Sequence, residues 1–193
     1  MADKNPLEIL RNEYPKAWKE AKKEIFRLQL LNEYLVEEEK ESYEAYKKGK
    51  VVYDPGIKES LDFIAKKKEE GTRIINLLVV DLPLSTYAKY SIEMVYLFTL
   101  EKGQETLLVE RSKVSGLVNN KIDFWLFDDT KVIPMLYHKD GHLIGAAQPI
   151  TGKGVEEYVR LKEELLAKAT PLKEFLKLNN IELIGKKTKN RSF

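Results

Sequence analysis

The sequence contains no cysteine, which excludes disulfide bonds, thiol catalysis and thiolate metal ligands. It also has no apolar run near the ~18 residues that a membrane-spanning helix needs, so we expect no contact with a membrane. The first ten residues, MADKNPLEIL, carry charges and a proline where a signal peptide would have its apolar segment. We therefore expect a cytoplasmic protein.

Glutamine is scarce as well, with three residues in 193, whereas the chain has 27 lysines and 23 glutamates. This composition is typical of hyperthermophilic proteins and leads us to expect a host of that kind. The net charge of +2 gives no overall field that would demand a nucleic-acid partner. The C-terminal tail is the exception, because it could contact phosphates without sequence preference or simply be a solvated terminus; its basic residues are Lys186, Lys187, Lys189 and Arg191.

The first 56 residues combine helical and extended patterns. Apolar residues at near-helical spacing precede residue 25, and Pro15 is expected to divide them into two short helices. Alternation of Phe26, Leu28 and Leu30 with polar residues predicts a strand. The stretch VEEEKESYEAYKKGK begins with acids and ends with lysines and Gly49, which favours a helix. We interpret residues 1–56 as a helix–strand–helix extension packed on a core.

Residues 57–178 have the pattern of an α/β core. IKESLDFIAKKKEEG predicts an amphipathic helix, and TRIINLLVVD predicts a strand that is apolar on both faces, as in a central strand. Ser85 or Thr86 is expected to cap the next helix. A strand in ETLLVER follows, then three strands joined by an aspartate-rich turn and by Asp140-Gly141, and finally two helices. The prediction is a mixed-sheet α/β fold, followed by a basic tail at 179–193.

His138, Lys139 and Asp140 carry the letters of the phospholipase D motif H-x-K-x-x-x-x-D without its spacing. In that motif the histidine and the lysine are two residues apart, so both side chains leave the same face of a strand. Here the two residues are adjacent, and their side chains would diverge while the strand persists. The motif also has no second copy in the chain. We therefore expect that these residues do not form that active site.

Other polar residues near this hairpin could form a metal site or an acid–base pair. His138 and His142 flank the turn with Asp140, but no third ligand is evident, so we expect no metal and no other cofactor. Asp123 and Asp128 bracket the aromatic strand FWLF. Acid–base catalysis would require a partner and a pocket, whereas a turn aspartate more simply bonds its own backbone.

A ligand cleft is the third possibility. Tyr87, Tyr90 and Tyr96 occur on one predicted helix, and Arg73 begins the strand before it. Ligands of open α/β sheets tend to bind beyond the carboxyl ends of the strands, where these residues could form the wall of a cleft. Core packing of the tyrosines is the alternative.

The block DFWLFDDTKVIPMLYHKDGHLIGAA, the helix after it and AKATPL resemble the C-terminal half of phospholipase D-like sensor domains. Such domains occur in archaeal helix-turn-helix regulators related to the sugar-sensing TrmB-type proteins. This resemblance implies a phospholipase D-like fold that has lost its catalytic residues and serves as a binding or dimerisation module.

Three further blocks, FRLQLLNEYLVEEEKESYEAYKKGK, LPLSTYAKYSIE and DFWLFDD, are similar in order to an uncharacterised family best known from actinobacteria. Its members are often encoded beside, or fused to, helix-turn-helix proteins. That family more often has glutamate where this chain has Gln29. The matching positions are Arg27, Tyr34, Glu38, Tyr87, Tyr90, Glu93, Phe124, Trp125, Asp128 and Asp129.

These observations favour a non-enzymatic regulatory or accessory module, expected to form a homodimer and to act through a small ligand, a DNA-binding protein or nucleic acid. A mobile element is one genetic setting for such a module. The rival hypothesis is a divergent metal-assisted phosphodiesterase or nuclease that uses Asp123, Asp128, His138 and Lys139. The residues that we expect to bind a ligand are Arg27, Arg73, Tyr87, Tyr90, Glu93 and Trp125.

Overall fold

The computed structural model describes residues 5–52 and 56–186. Its helices are α1 (Pro6–Glu20), α2 (Lys40–Lys47), α3 (Ile57–Glu69), α4 (Thr86–Ser91), a π-helix (Ile92–Tyr96), α5 (Leu97–Glu101), α6 (Arg111–Val118), α7 (Glu156–Leu166) and α8 (Leu172–Leu178). Its strands are β1 (Glu24–Gln29), β2 (Arg73–Val80), β3 (Glu105–Glu110), β4 (Phe124–Phe127), β5 (Lys131–Tyr137), β6 (Leu143–Ala146), β7 (Ile150–Thr151) and β8 (Thr170–Pro171). None of the helices in these ranges is long and apolar enough to cross a membrane.

The strands form one mixed sheet in the order β6-β5-β4-β1-β2-β3-β8, and β7 also pairs with β5. The pairs β1–β2 and β2–β3 are parallel, whereas β1–β4, β4–β5 and β3–β8 are antiparallel. Parallel strands in the middle of the sheet explain why β2 is buried on both faces. The predicted mixed-sheet α/β class is confirmed.

The strand at 24–29 was assigned to an extension outside the core, and its position corrects that assignment. β1 is an inner strand, paired with β2 on one side and with β4 on the other. Ile25, Phe26 and Leu28 are completely buried. Residues before the proposed boundary at 56 therefore form part of the central sheet, because β1 supplies the backbone partners that β2 and β4 need.

Three helices differ from the sequence-based expectation. Residues 6–20 form one helix although Pro15 lies inside it. Pro15 and Arg11 are both exposed, so water can satisfy the Arg11 carbonyl that Pro15 cannot bond. The helix α6 was not predicted, and the helix after Ser85 contains five residues of π-helix. The predicted cap is confirmed, since Ser85 Oγ accepts a hydrogen bond from the Ala88 backbone at 3.0 Å.

The two faces of the sheet are covered differently. One face packs Phe26, Leu77 and Leu126 against α6 and α7 in a continuous core. On the other face, α1 and α3 cover Ile25 and Ile133, whereas α4, the π-helix and α8 cover Leu78, Val80 and Leu108. The central strands between these two groups of helices form the floor of an open cleft.

Candidate ligand-binding cleft

The cleft lies over β4, β1 and β2 and has a volume of about 940 Å³. Helices α1 and α3 form one wall, and the π-helix with α5 forms the other. This volume lies within the range of about 300–1,000 Å³ that is usual for sites that bind small molecules. The cleft is therefore large enough for an organic ligand.

Aromatic side chains form much of the wall. Trp18 lies 5.3 Å, centroid to centroid, from Trp125 and from Phe63, and Tyr14 lies 5.3 Å from Trp125. Most of these pairs have edge-to-face geometry, which fixes the rings relative to one another. Tyr96 faces them from the π-helix side. The walls thus offer flat apolar surfaces to a ligand.

The floor carries a row of polar residues in register across the sheet. Arg27 of β1 is the register partner of Trp125 in β4 and of Asn76 in β2. Asn76 is in turn paired with Thr106 of β3. Asn76 and Thr106 are 3% and 2% exposed, and their side-chain polar atoms form no hydrogen bond within the described chain. A buried row of unsatisfied polar groups is unusual in the middle of a sheet.

Arg27 is a partly buried cation among aromatic rings. Its guanidinium carbon lies 5.0 Å above the centre of the Trp125 ring. Burial by itself lowers the pKa of Arg27, but the phenols of Tyr96, Tyr137 and Tyr34 outweigh that effect, so the pKa is raised and the group stays charged. No carboxylate of the described residues forms an ion pair with it.

Tyr96 connects the wall of the cleft to its floor. It ends the π-helix, a conformation often found at functional sites. Its hydroxyl donates a 2.6 Å hydrogen bond to Gln29 Oε1, and burial raises its pKa. Gln29 thus serves as a neutral acceptor for Tyr96.

Asp123 is buried beside this region but is held by other groups. Its Oδ1 accepts from the Leu30 backbone at 2.9 Å, and its Oδ2 accepts from the Tyr34 hydroxyl at 2.5 Å. Burial raises the pKa of Asp123 although these hydrogen bonds and Arg27 act to lower it. Asp123 therefore holds the segment that follows β1.

His138, Lys139 and Asp140 lie outside the cleft. β5 ends at Tyr137, so His138 and Lys139 belong to an exposed turn and not to a strand. Asp140 accepts a hydrogen bond from the His142 backbone at 3.1 Å, and this bond lowers the pKa of Asp140. No group of three metal-binding side chains occurs in the described ranges.

Asp128 lies at the other end of β5, about 20 Å from His138 at the usual strand rise. Its carboxylate accepts hydrogen bonds from three backbone N–H groups at 2.7–2.9 Å. The structure therefore does not bring Asp128 together with His138 and Lys139.

The remaining predicted ligand residues are distributed over the molecule. Arg27 and Trp125 line the cleft, whereas Arg73 pairs with Glu24 and Glu105 at the amino end of the parallel strands. Tyr87 and Tyr90 pack in a tyrosine cluster, and Glu93 accepts from Tyr46 at 3.0 Å. Lys186 ends the described part of the chain, and Lys187, Lys189 and Arg191 lie outside it.

Sequence reasoning missed Asn76 and the wall residues Tyr14, Trp18 and Phe63. Asn76 had a usable signal, because it is the one polar residue inside the apolar run IINLLVV. The wall residues had none, because their spacing is that of ordinary amphipathic helices.

The solved structures to which the whole chain is distantly similar include two with the following descriptions. A phospholipase D family member, Nuc from Salmonella typhimurium, is 10% identical, with 81% of this chain and 86% of that chain covered and a TM-score of 0.46. TrmBL2, an archaeal chromatin protein described with a novel mode of DNA binding, is 14% identical, with 88% and 53% covered and a TM-score of 0.46. This chain thus spans about half the length of TrmBL2.

No curated protein matches the sequence. A family model, in contrast, matches residues 12–177, which include every strand of the sheet and all of the cleft-lining residues. The chain therefore belongs to the family described as a domain of unknown function, DUF6879.

Proposed function

We propose that this chain is a non-enzymatic regulatory or accessory module that binds a small organic anion in the cleft. The single observation that carries the proposal is Arg27, a charged side chain on the floor of the cleft that has no carboxylate partner among the described residues. A partly desolvated cation that contacts no carboxylate directly is stabilised when a ligand supplies the negative charge.

The charge of the whole cleft supports an anionic ligand. Five cationic residues line it, against two acids, Glu59 and Glu70. Lys67 is already engaged, since its ammonium group donates to two backbone carbonyls and pairs with Glu70 at 3.0 Å. Lys22 and Lys66 remain exposed at the rim. Their field would attract an anion towards Arg27.

The same geometry disfavours the rival phosphodiesterase. Both oxygens of Asp123 accept structural hydrogen bonds, and Asp128 holds the backbone before β1. His138 and Lys139 are exposed and lie outside the cleft. The residues of that hypothesis thus have separate surroundings and no shared pocket.

The biological setting of the proposal rests on the composition of the chain and on the sequence resemblances. We propose a cytoplasmic homodimer that works with a DNA-binding protein in a hyperthermophilic archaeal host, with a mobile element as one possible origin. Light scattering at micromolar concentration tests the dimer directly. A monomer at every concentration would contradict that part alone.

The anion site is tested with benzoate and its neutral isostere benzamide. Both tryptophans of the chain line the cleft, so the two indole N–H signals in a ¹⁵N NMR spectrum report on its occupancy. We expect benzoate to bind at least about tenfold more tightly than benzamide, because a hydrogen bond to a charged group is worth about 1.5–3 kcal/mol.

Arg27→Gln should remove this preference, whereas Arg160→Gln, at an exposed position of α7, should retain it. Equal binding of the two probes by the unaltered protein, or an unchanged preference in Arg27→Gln, would contradict the proposal.

A further inference from the structure

Asn76 is the feature of the cleft that points beyond a simple anion. Its side chain is 3% exposed, lines the cleft and has neither its Nδ2 nor its Oδ1 in a hydrogen bond within the described residues. The nearby Tyr96 hydroxyl gives its proton to Gln29 at 2.6 Å, and the Asn76 amide is close enough to act against burial and lower the pKa of Tyr96, but the two side chains form no hydrogen bond of normal geometry. Buried amides are nearly always paired, so a donor and an acceptor are missing at this point.

The position of Asn76 relative to Arg27 limits the shape of a ligand that could supply them. The two residues are register partners on neighbouring strands, whose backbones lie about 5 Å apart. A ligand that reaches both must carry its negative charge and its hydrogen-bonding edge within about one ring width.

The aromatic side chains in the walls of the cleft indicate that this ligand is flat. Trp18, Phe63 and Tyr14 present fixed ring faces and edges above the floor, and Trp125 lies beneath Arg27. Aromatic side chains pack well against other planar rings in offset or edge-to-face arrangements. An extended aliphatic anion would leave much of this surface without contact.

We infer that the floor of the cleft binds a planar heterocyclic carboxylate whose ring contains an amide next to the carboxylate. Arg27 binds the carboxylate, and Asn76 exchanges two hydrogen bonds with the ring amide. This inference rests on the proposed anion site and assigns Asn76 as the residue that determines specificity.

Three probes separate the two contributions. Orotate, which is uracil-6-carboxylate, has both the carboxylate and the adjacent ring amide. Benzoate has only the carboxylate, and uracil has only the amide. We expect orotate to bind about tenfold or more tightly than benzoate, because two neutral hydrogen bonds are added. Uracil should bind more weakly than either, because it lacks the group that Arg27 binds.

Asn76→Leu is the main variant, because leucine keeps the branched shape and removes both polar atoms. It should reduce the preference for orotate over benzoate to within about twofold, because the two hydrogen bonds to the ring amide are lost. Its midpoint of thermal unfolding should equal or exceed that of the unaltered protein, since an unsatisfied buried amide is removed.

Thr106→Val is the matched control. Thr106 is the next residue in the same buried row, also has no hydrogen-bond partner among the described residues, and does not line the cleft. It should therefore keep the full preference for orotate.

The outcomes distinguish this inference from the proposed function. If benzoate binds through Arg27 but orotate binds no more tightly, the anion site stands and the assignment of Asn76 is overturned. The same holds if Asn76→Leu keeps the preference for orotate. If neither carboxylate binds, the proposed function itself is overturned.

Discussion

Asp128 shows how one turn carboxylate positions a central strand. Its Oδ1 accepts from the Lys23 and Glu24 backbones at 2.7 and 2.9 Å, and its Oδ2 accepts from Lys22 at 2.9 Å. Asp128 has a φ of +52°, in the left-handed region that aspartate tolerates better than most residues. The turn after β4 therefore fixes the residues that lead into β1.

We predict that Asp128→Ala lowers the free energy of unfolding by about 2–3 kcal/mol, because three N–H groups lose a charged acceptor. Partial burial raises the pKa of Asp128, but the backbone hydrogen bonds from Glu24, Lys22 and Lys23 outweigh it and the pKa is lowered. A lowered pKa contributes stability that is present above the unfolded value near 4 and is lost as pH falls through the folded value.

Urea unfolding at pH 7 and at pH 3 measures this effect. The difference between Asp128→Ala and the unaltered protein should be largest at pH 7 and smaller at pH 3. Asp62→Ala, at an exposed position of α3, should have little effect at either pH. A difference that does not depend on pH would show that the charge of Asp128 is unimportant.

At the level of single residues, the sequence predicted part of the cleft. Arg27 and Trp125 were proposed as ligand residues from family resemblance, and both line it. Asp123 stood out because it precedes a buried strand, yet its partners Leu30 and Tyr34 come from a distant part of the chain. Such long-range hydrogen bonds leave no local pattern, so its structural role could not be deduced.

The π-helix connects the cleft to the C-terminal segment. Tyr96 reaches Gln29 at one end, whereas Glu93 accepts from Tyr46 and from the Gly185 backbone at the other. A β-carbon on Gly185 would collide with Glu93 Oε1, so only glycine fits there without movement. The C-terminal segment is thus held on the same helix that forms one wall of the cleft.

We predict that Gly185→Ala lowers the free energy of unfolding by about 1–3 kcal/mol, because the new methyl group displaces Glu93 from its hydrogen bonds. Gly116→Ala is the control: it lies in α6 with no atom near its missing β-carbon, and should stabilise the protein by about 0.5–1 kcal/mol. Thermal unfolding measures both.

A double-mutant cycle with Glu93→Ala identifies the cause. Gly185→Ala should cost less in the Glu93→Ala background, because the colliding carboxylate is gone. Equal costs in the two backgrounds would contradict the contact.

Most elements could be predicted because their patterns are local. The helix at 57–69, the strand at 73–80 and the hairpin strands after residue 123 follow from periodicity and turn residues. The central position of β1 in the sheet could not be predicted, because its antiparallel partner β4 is about 100 residues later in the chain. The π-helix was missed since its apolar spacing differs little from that of an α-helix.

At the scale of the whole molecule, the opening lies over a face of the sheet and not beyond the strand ends where the sequence led us to expect it. Helices α6 and α7 close one face, whereas the helices on the other face leave a cleft that has Arg27 and Asn76 among its lining residues. The exposed turn with His138 is outside this opening. A ligand in the cleft would therefore contact the cation of Arg27 and the amide of Asn76. It would not contact His138, Lys139 or Asp140, because none of the three lines the cleft.

This separation predicts the outcome of a direct test for phosphodiesterase activity. Turnover of bis-p-nitrophenyl phosphate, with and without Mn²⁺, should be the same for the unaltered protein and for His138→Ala. The reason is that His138 and Lys139 have no shared pocket with Asp123 or Asp128. His142→Ala, in the same turn, controls for general disturbance of the hairpin. Turnover that is abolished in His138→Ala and retained in His142→Ala would establish an active site at the turn and replace the binding module with an enzyme.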